Sequence, residues 1–183
     1  MDRQKGTYEV QLDVSEPRWF AVRTKFRAEK VVFKQFEHKG IHSFLPLLSL
    51  TRRYKRKIKK VEMPLIPSYI FVQIVKQQYV SVLETELVTV FVKFANELIA
   101  ISDEEIDLMK RITGENREVE VVSSDFGIGE EVEILVGNLA GTRGRLVEVK
   151  QKNKVLIEIK SLGLSLMIEI DTQNLRKQSY LAV

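Results

Sequence analysis

Apolar and polar residues alternate along this chain in two different rhythms. Arg18-Trp19-Phe20-Ala21-Val22-Arg23 is short and rich in β formers, and predicts a first strand. Residues 27–39 then change period. Ala28, Val31, Val32, Gln35 and Phe36 recur at the three-to-four spacing of one helix face, and Gly40 follows as a C-terminal cap would. Residues 41–50 predict a second strand, with Pro46 marking an edge or a kink. Residues 66–74 predict a third. A short helix is expected over 77–86, with Tyr79, Val82 and Leu83 inward. Residues 88–94 and 98–101 read as strands on either side of the turn Ala95-Asn96-Glu97. Ser102 and Glu105 have capping-box spacing, and Ile106, Met109 and Ile112 mark the core face of the helix they open.

Beyond residue 113 the texture shifts. Residues 114–124 are polar without sustained periodicity and read as a linker. Short β segments succeed it at 131–135, 142–150, 154–159 and 164–170, separated by turn residues such as Gly137-Asn138, Gly141, Gly144, Lys152-Asn153 and Gly163. Residues 171–175 are the one candidate helical stretch there. Strands of this length and spacing predict a small five-stranded closed barrel. The fold class expected is α+β: an N-terminal antiparallel sheet packed with helices, a linker, and a small β-barrel. The domain bounds are a polar tail at 1–16, the sheet domain at 17–113, the linker at 114–124, the barrel at 125–178 and a tail at 179–183.

Charge sharpens this division. The net charge of +4 conceals a split: residues 1–16 hold 2 basic and 4 acidic side chains, residues 17–113 hold 18 and 10, and residues 114–183 hold 9 and 11. The excess of cations belongs to the middle section, which points to a polyanionic partner there. Seven of its cations fall within residues 52–60, with no acid among them. Such a run cannot pack inside, so a hairpin tip or loop is expected. Tyr54 interrupts it and has the shape to stack on a base. Arg23, Lys25 and Arg27 sit at the first strand-to-helix junction, within reach of a backbone phosphate.

Several chemistries drop out. With no cysteine there is no disulfide, thiol catalysis or thiolate-bound metal. His38 and His42 have no partner at ligand spacing, so no metal is expected. No phosphate-binding glycine loop or nucleophile elbow is present, Gly137 to Gly144 linking strands instead of opening a helix. Neither an enzyme nor a cofactor is expected. No apolar run reaches a membrane span and the N-terminus lacks a signal-peptide core. A cytoplasmic protein without membrane contact is expected.

Four segments together resemble a known family. Trp19-Phe20-Ala21-Val22-Arg23-Thr24 before a basic amphipathic helix resembles the opening of the NusG-type N-terminal (NGN) domain. Pro64-Leu65-Ile66-Pro67-Ser68-Tyr69-Ile70-Phe71-Val72 resembles its "PLFPGYVFV" strand. Ile101-Ser102-Asp103-Glu104-Glu105-Ile106 is similar to the opening of its last helix. Gly129-Glu130-Glu131-Val132-Glu133-Ile134 with Gly137-Asn138-Leu139-Ala140-Gly141-Thr142-Arg143-Gly144 resembles a KOW barrel. The resemblance runs over residues 17–177 in the family's order.

The resemblance implies a transcription elongation factor that binds the clamp helices of the largest RNA polymerase subunit through an apolar pocket. By position that pocket is Ile66, Tyr69, Phe71 and Phe91, although ordinary core packing explains the same residues. It further implies contact with upstream and non-template DNA. Arg23, Lys25, Arg27, Arg52, Arg53, Tyr54, Lys55, Arg56 and Lys57 are the candidates. In relatives the barrel recruits Rho or a ribosomal small-subunit protein. Here the family turn Gly-Pro-Phe-Ala-Gly is Gly137-Asn138-Leu139-Ala140-Gly141, and Leu162 precedes Gly163 where an aromatic is common. The absence of two aromatic anchors argues against Rho. These departures, the basic run and the acidic tail are similar to the operon-specific antiterminators of polysaccharide gene clusters in Bacteroides-like bacteria. A general NusG-type factor and a KOW-type RNA- or ribosome-binding protein remain open, and a monomer is expected.

Overall fold

The computed structural model describes residues 11–54, 57–93, 97–114, 118–123, 129–149 and 152–177. These fall into two compact units. One takes the described residues within Met1–Leu47 and Ile66–Ile106, the other those within Leu48–Leu65 and Asp107–Val183. The secondary structure is mixed α and β, as the two rhythms of the sequence predict.

In the first unit, β1 (Arg18–Thr24) is central. It pairs antiparallel with β5 (Tyr69–Ile74) on one side and with β6 (Val88–Phe91) on the other, and β2 (Ser43–Phe44) pairs with the far edge of β5. The register places Phe20 opposite Val72, and Val22 opposite both Ile70 and Phe91. These residues therefore share one face. Helix α1 (Glu29–His38) contributes Ala28 from its leading edge, Val32 and Phe36 to that core, and α2 (Tyr79–Leu83) adds Val82. Tyr79 stacks on Phe91 at 4.5 Å between ring centroids, and Phe20 meets Phe91 edge-on at 6.3 Å. Each large side chain removed from water here contributes about 1.5–3 kcal/mol. Val31, expected on the same helix face, is 49% exposed, and Phe33 packs against the core instead.

Helix α1 ends as its glycine predicts. Gly40 has φ +66°, the Gly40 N–H donates to Glu37 O at 3.1 Å, and the Ile41 N–H donates to Phe36 O at 2.9 Å. This is a Schellman cap, with Ile41 and Phe36 joined in one apolar cluster. The expected strand over 41–50 is divided: β2 ends before Leu45-Pro46 and β3 (Leu47–Tyr54) belongs to a separate two-stranded sheet. Proline offers no N–H and restricts the residue before it, so the ladder cannot run through. The return strand expected at 98–101 is reduced to a bridge between Ile101 and Trp19.

The expected capping box opens α3 (Asp103–Thr113): the Glu105 N–H donates to Ser102 Oγ and the Ser102 N–H to Glu105 Oε2, each at 3.3 Å. Ile106, Leu108, Met109 and Ile112 of this helix are buried.

The second unit holds a six-stranded sheet. It comprises β7 (Val119–Ser123), β8 (Glu130–Ile134), β9 (Arg143–Val149), β10 (Lys152–Ile159), β11 (Leu164–Glu169) and β12 (Leu175–Lys177), in the order β12-β8-β9-β10-β11-β7. Val132, Ile134, Val155, Ile157, Ile159, Leu166 and Ile168 share one buried face, and Val147, Leu156 and Met167 cluster on the other. An added Cβ at Gly144 would sit 2.5 Å from Leu156 O, so β9 and β10 approach closely there because Gly144 has no side chain. Two expectations change. Val119–Ser123, within the stretch read as a linker, is an edge strand paired with β11. The candidate helical stretch at 171–175 is a single 3-10 turn at Thr172–Asn174 leading into β12.

The described end of the polar lead-in is docked. Leu12 packs on the first core, Gln11 accepts from the Ala100 N–H, and the Lys76 N–H donates to Asp13 O at 2.7 Å. The Asp13 carboxylate in turn accepts from the Glu16 N–H at 2.9 Å, the Ser15 N–H at 2.8 Å and Ser15 Oγ at 3.0 Å. These bonds, led by the backbone ones, hold its pKa down from 3.8 to about 2.

Two outcomes are expected. Gly40→Ala should lower stability by about 1–2 kcal/mol, read as a fall in the urea midpoint, because the cap needs a left-handed residue while the space around it is open. The Asp13 contribution should be fully present above pH 3.8 and be lost as pH falls towards 2. An NMR titration should place its midpoint near 2, and Asp13→Asn should flatten that part of the acid unfolding curve.

Candidate functional site

The chain leaves β1 at Thr24 and reaches α1 at Glu29 through four residues, and this crossing is held from several sides. The Thr24 N–H donates to Ser68 O at 2.9 Å, and the Lys25 N–H to Leu87 O at 2.9 Å. Thr89 Oγ1 donates to Arg23 O at 2.9 Å. The Glu29 side chain is 5% exposed and its carboxylate accepts the Ser68 N–H at 2.6 Å. A buried carboxylate needs such a donor, since an unpaired one is costly. Three loops are thereby tied at one end of the sheet. Each contains a non-glycine residue with left-handed backbone: Arg27 at φ 59°, Ser68 at φ 64° and Leu87 at φ 70°. Such residues cost on the order of 1–2 kcal/mol each, which the hydrogen bonds between the loops offset.

Of the crossing's four residues Ala28 is buried, and the other three turn their side chains outward. Arg23, Lys25 and Arg27 are exposed, and none has an acidic partner among the described residues. The structure therefore brings together these three sequence candidates. It adds Phe26, which is 75% exposed and carries the Arg27 guanidinium 4.9 Å from its ring centroid. Phe26 is not among the sequence candidates. The signal is nevertheless in the sequence, since an aromatic between two cations is the same pattern that singles out Tyr54.

The described residues of the basic run 52–60, expected at a hairpin tip or a loop, lie in two paired strands. Arg52, Arg53 and Tyr54 end β3, and Lys57 begins β4 (Lys57–Pro64). Lys55 and Arg56 lie outside the described residues. A connection this short permits only antiparallel pairing, so the run lies on a hairpin. Ile58, Lys59 and Lys60 are exposed along it.

The four residues assigned to a partner pocket do not share one surface. Tyr69 and Phe71 lie on the sheet face opposite α1, with Trp19, Ala21 and Arg23. On that face Trp19 lies 5.1 Å from His42 and 6.5 Å from Phe44, and Phe44 lies 6.2 Å from Phe71, all between ring centroids. Gln73 Oε1 and His42 Nδ1 are 2.7 Å apart. Phe91 faces the other way: paired with Val22, it is enclosed by Phe20 and Tyr79 in the helix-covered core. Ile66 lies in the turn before β5, where Ile66 O accepts the Tyr69 N–H at 3.3 Å, and is 3% exposed. Phe71 is fully buried, so Tyr69 alone of the four is partly open to solvent.

Among the described residues, no group of three or more His, Cys, Asp and Glu could hold a metal ion, and no helix is long and apolar enough to cross a membrane.

Comparison with known proteins bears on the same residues. The family NusG, described as "Transcription termination factor nusG", matches residues 17–110. That span includes β1, the crossing, the hairpin and β5. No curated protein matches the chain. Among solved structures, the chain is similar to one described as "Domain interaction in Thermotoga maritima NusG". The TM-score is 0.58 at 22% identity, over 91% of this chain and 99% of that one. At that identity the likeness concerns the fold, and it spans both units.

Glu29→Ala should remove the acceptor of the part-buried Ser68 N–H and cost about 1–3 kcal/mol in urea unfolding. Glu29→Gln keeps an acceptor oxygen and should cost less.

Proposed function

The chain belongs to the NusG family of transcription factors, and from that premise we propose that it is an elongation and antitermination factor. NusG-family proteins bind RNA polymerase. The observation that carries the reading is the family match across β1, the crossing and β5, together with three exposed cations, Arg23 at the end of β1 and Lys25 and Arg27 in the crossing, that have no acidic partner among the described residues.

In this reading residues 17–113 form the polymerase-binding domain. The clamp helices of the largest subunit are met through the Tyr69 face, Tyr69 being the part of it open to solvent. Arg23, Lys25, Arg27 and the hairpin run hold upstream or non-template DNA. Phosphate contacts give affinity that is independent of sequence and falls with salt. The action is mechanical: bridging the clamp and the DNA disfavours the open polymerase states that lead to pausing and termination. The C-terminal domain, expected over residues 125–178, meets a second protein. Leu139 is buried in this chain and Leu162 half-buried, so neither supplies the exposed aromatic anchor that would favour Rho, and a ribosomal small-subunit protein is the better fit. The chain works as a monomer in the bacterial cytoplasm and serves one polysaccharide operon.

Single-round transcription through a terminator placed behind the protein's own upstream leader tests this. The wild-type chain should raise readthrough, and Tyr69→Ala should lower both readthrough and retention on polymerase. Arg23→Glu, Lys25→Glu and Arg27→Glu together should flatten the dependence of log affinity for single-stranded DNA on log salt, by about 0.7 for each phosphate no longer neutralised. Unchanged readthrough with the wild-type chain would reject antitermination. Transcript profiling after deletion separates the specialist, with one affected operon, from a general factor with global effects.

A further inference from the structure

We infer that Phe26, backed by Arg27, is a stacking platform for an unpaired base of single-stranded nucleic acid. The inference rests on the nucleic-acid reading of the crossing and names the one contact there that is not electrostatic.

Phe26 is 75% exposed, more than any other large apolar side chain among the described residues. Burying such a ring would contribute about 1.5–3 kcal/mol, and Ala28, two positions on, is buried in the helix-covered core. The chain nevertheless holds Phe26 out. Its backbone neighbours are fixed: Lys25 is bonded to Leu87, the Ala28 N–H donates to Lys25 O at 3.1 Å, and Arg27 is left-handed. The ring is therefore presented from a tied turn and not from a loose loop, so little ordering entropy opposes a partner.

The surroundings select the partner's chemistry. Arg27 lies over the ring at 4.9 Å. Arg23 and Lys25 complete a cationic setting with no acidic partner among the described residues. An apolar protein surface would gain from the ring but would have to desolvate these charges. A nucleotide satisfies both features at once, with a π face for the ring and phosphates for the cations. In a duplex each base is already covered by its neighbours, so the accessible partner is an unpaired one. Stacking of this kind tolerates any base, because every base has a π face.

The test uses the full chain and two labelled single strands of the same length and number of phosphates, one carrying normal bases and one abasic at its central positions. Fluorescence anisotropy at low salt gives both affinities. The wild-type chain should bind the base-bearing strand about ten-fold more tightly than the abasic one. Phe26→Ala should abolish that difference and leave abasic binding unchanged. Phe26→Trp should keep the difference, and Phe26→Leu, apolar but without a π face, should lose it. A 2-aminopurine in the strand should be quenched by the wild-type chain and not by Phe26→Ala.

Equal, salt-dependent binding of both strands by the wild-type chain would overturn the stacking platform while leaving the phosphate-binding reading intact. No binding of either strand would overturn both. A Phe26→Ala variant that binds both strands normally but is no longer retained on polymerase would assign the ring to a protein contact and overturn the inference.

Discussion

Strand β1 is hydrogen-bonded along both edges, to β5 and to β6. Its register decides which residues meet the helices and which lie on the opposite face of the sheet. A slip of one residue would turn Phe20 and Val22 to the opposite face and bring Trp19, Ala21 and Arg23 under α1. The double pairing excludes that slip, because two independent ladders would have to shift together. The apolar core, the orientation of Tyr69 and the point at which the chain leaves the sheet all depend on this one strand.

Past β1 the chain makes a turn that no local preference would produce. Arg27, Ser68 and Leu87 each take a backbone conformation that side chains disfavour. They hold it because the loops that carry them are bonded to one another through Thr24, Lys25 and the buried carboxylate of Glu29. Strain distributed over three loops and offset by mutual bonds makes a cooperative corner: loosening one loop removes partners from the other two. The cations and the ring at that corner are therefore positioned by the backbone of the domain, and the cations have no acidic partner among the described residues.

Much of this is legible in the sequence, and the reasons are local. Helix α1, its glycine cap and the Ser102–Glu105 box depend on residues a few positions apart, so their spacing identifies them. The strands of both units show themselves through β-branched residues and turn glycines. The illegible part depends on which strand lies beside which. Alternation within β6 gives two faces but cannot say which one meets the helices. The family resemblance groups Phe91 with Tyr69 while core packing explains it as well, and its pairing with Val22 is what fixes it in the core. The cationic run reads as a hairpin tip or a loop because like charges repel, and its described residues can be strand because in a two-stranded ribbon both faces can meet water. Val119–Ser123 escapes because an edge strand with neither face fully buried lacks a strong period. Phe26 shares with Tyr54 the pattern of an aromatic between cations, but its exposure is a property of the whole fold.

The tied crossing also separates two kinds of inheritance. Its path is set by amides, carbonyls and Glu29, none of which depends on the residue that stands at positions 23, 25 and 26. Side chains there can be exchanged by mutation without disturbing the scaffold, and even position 27 restricts only which residues tolerate its backbone. A lineage that keeps Glu29 and the β1 pairing can therefore diversify the tip freely. Paralogues built on one frame would then come to differ in what they touch long before they differ in how they fold.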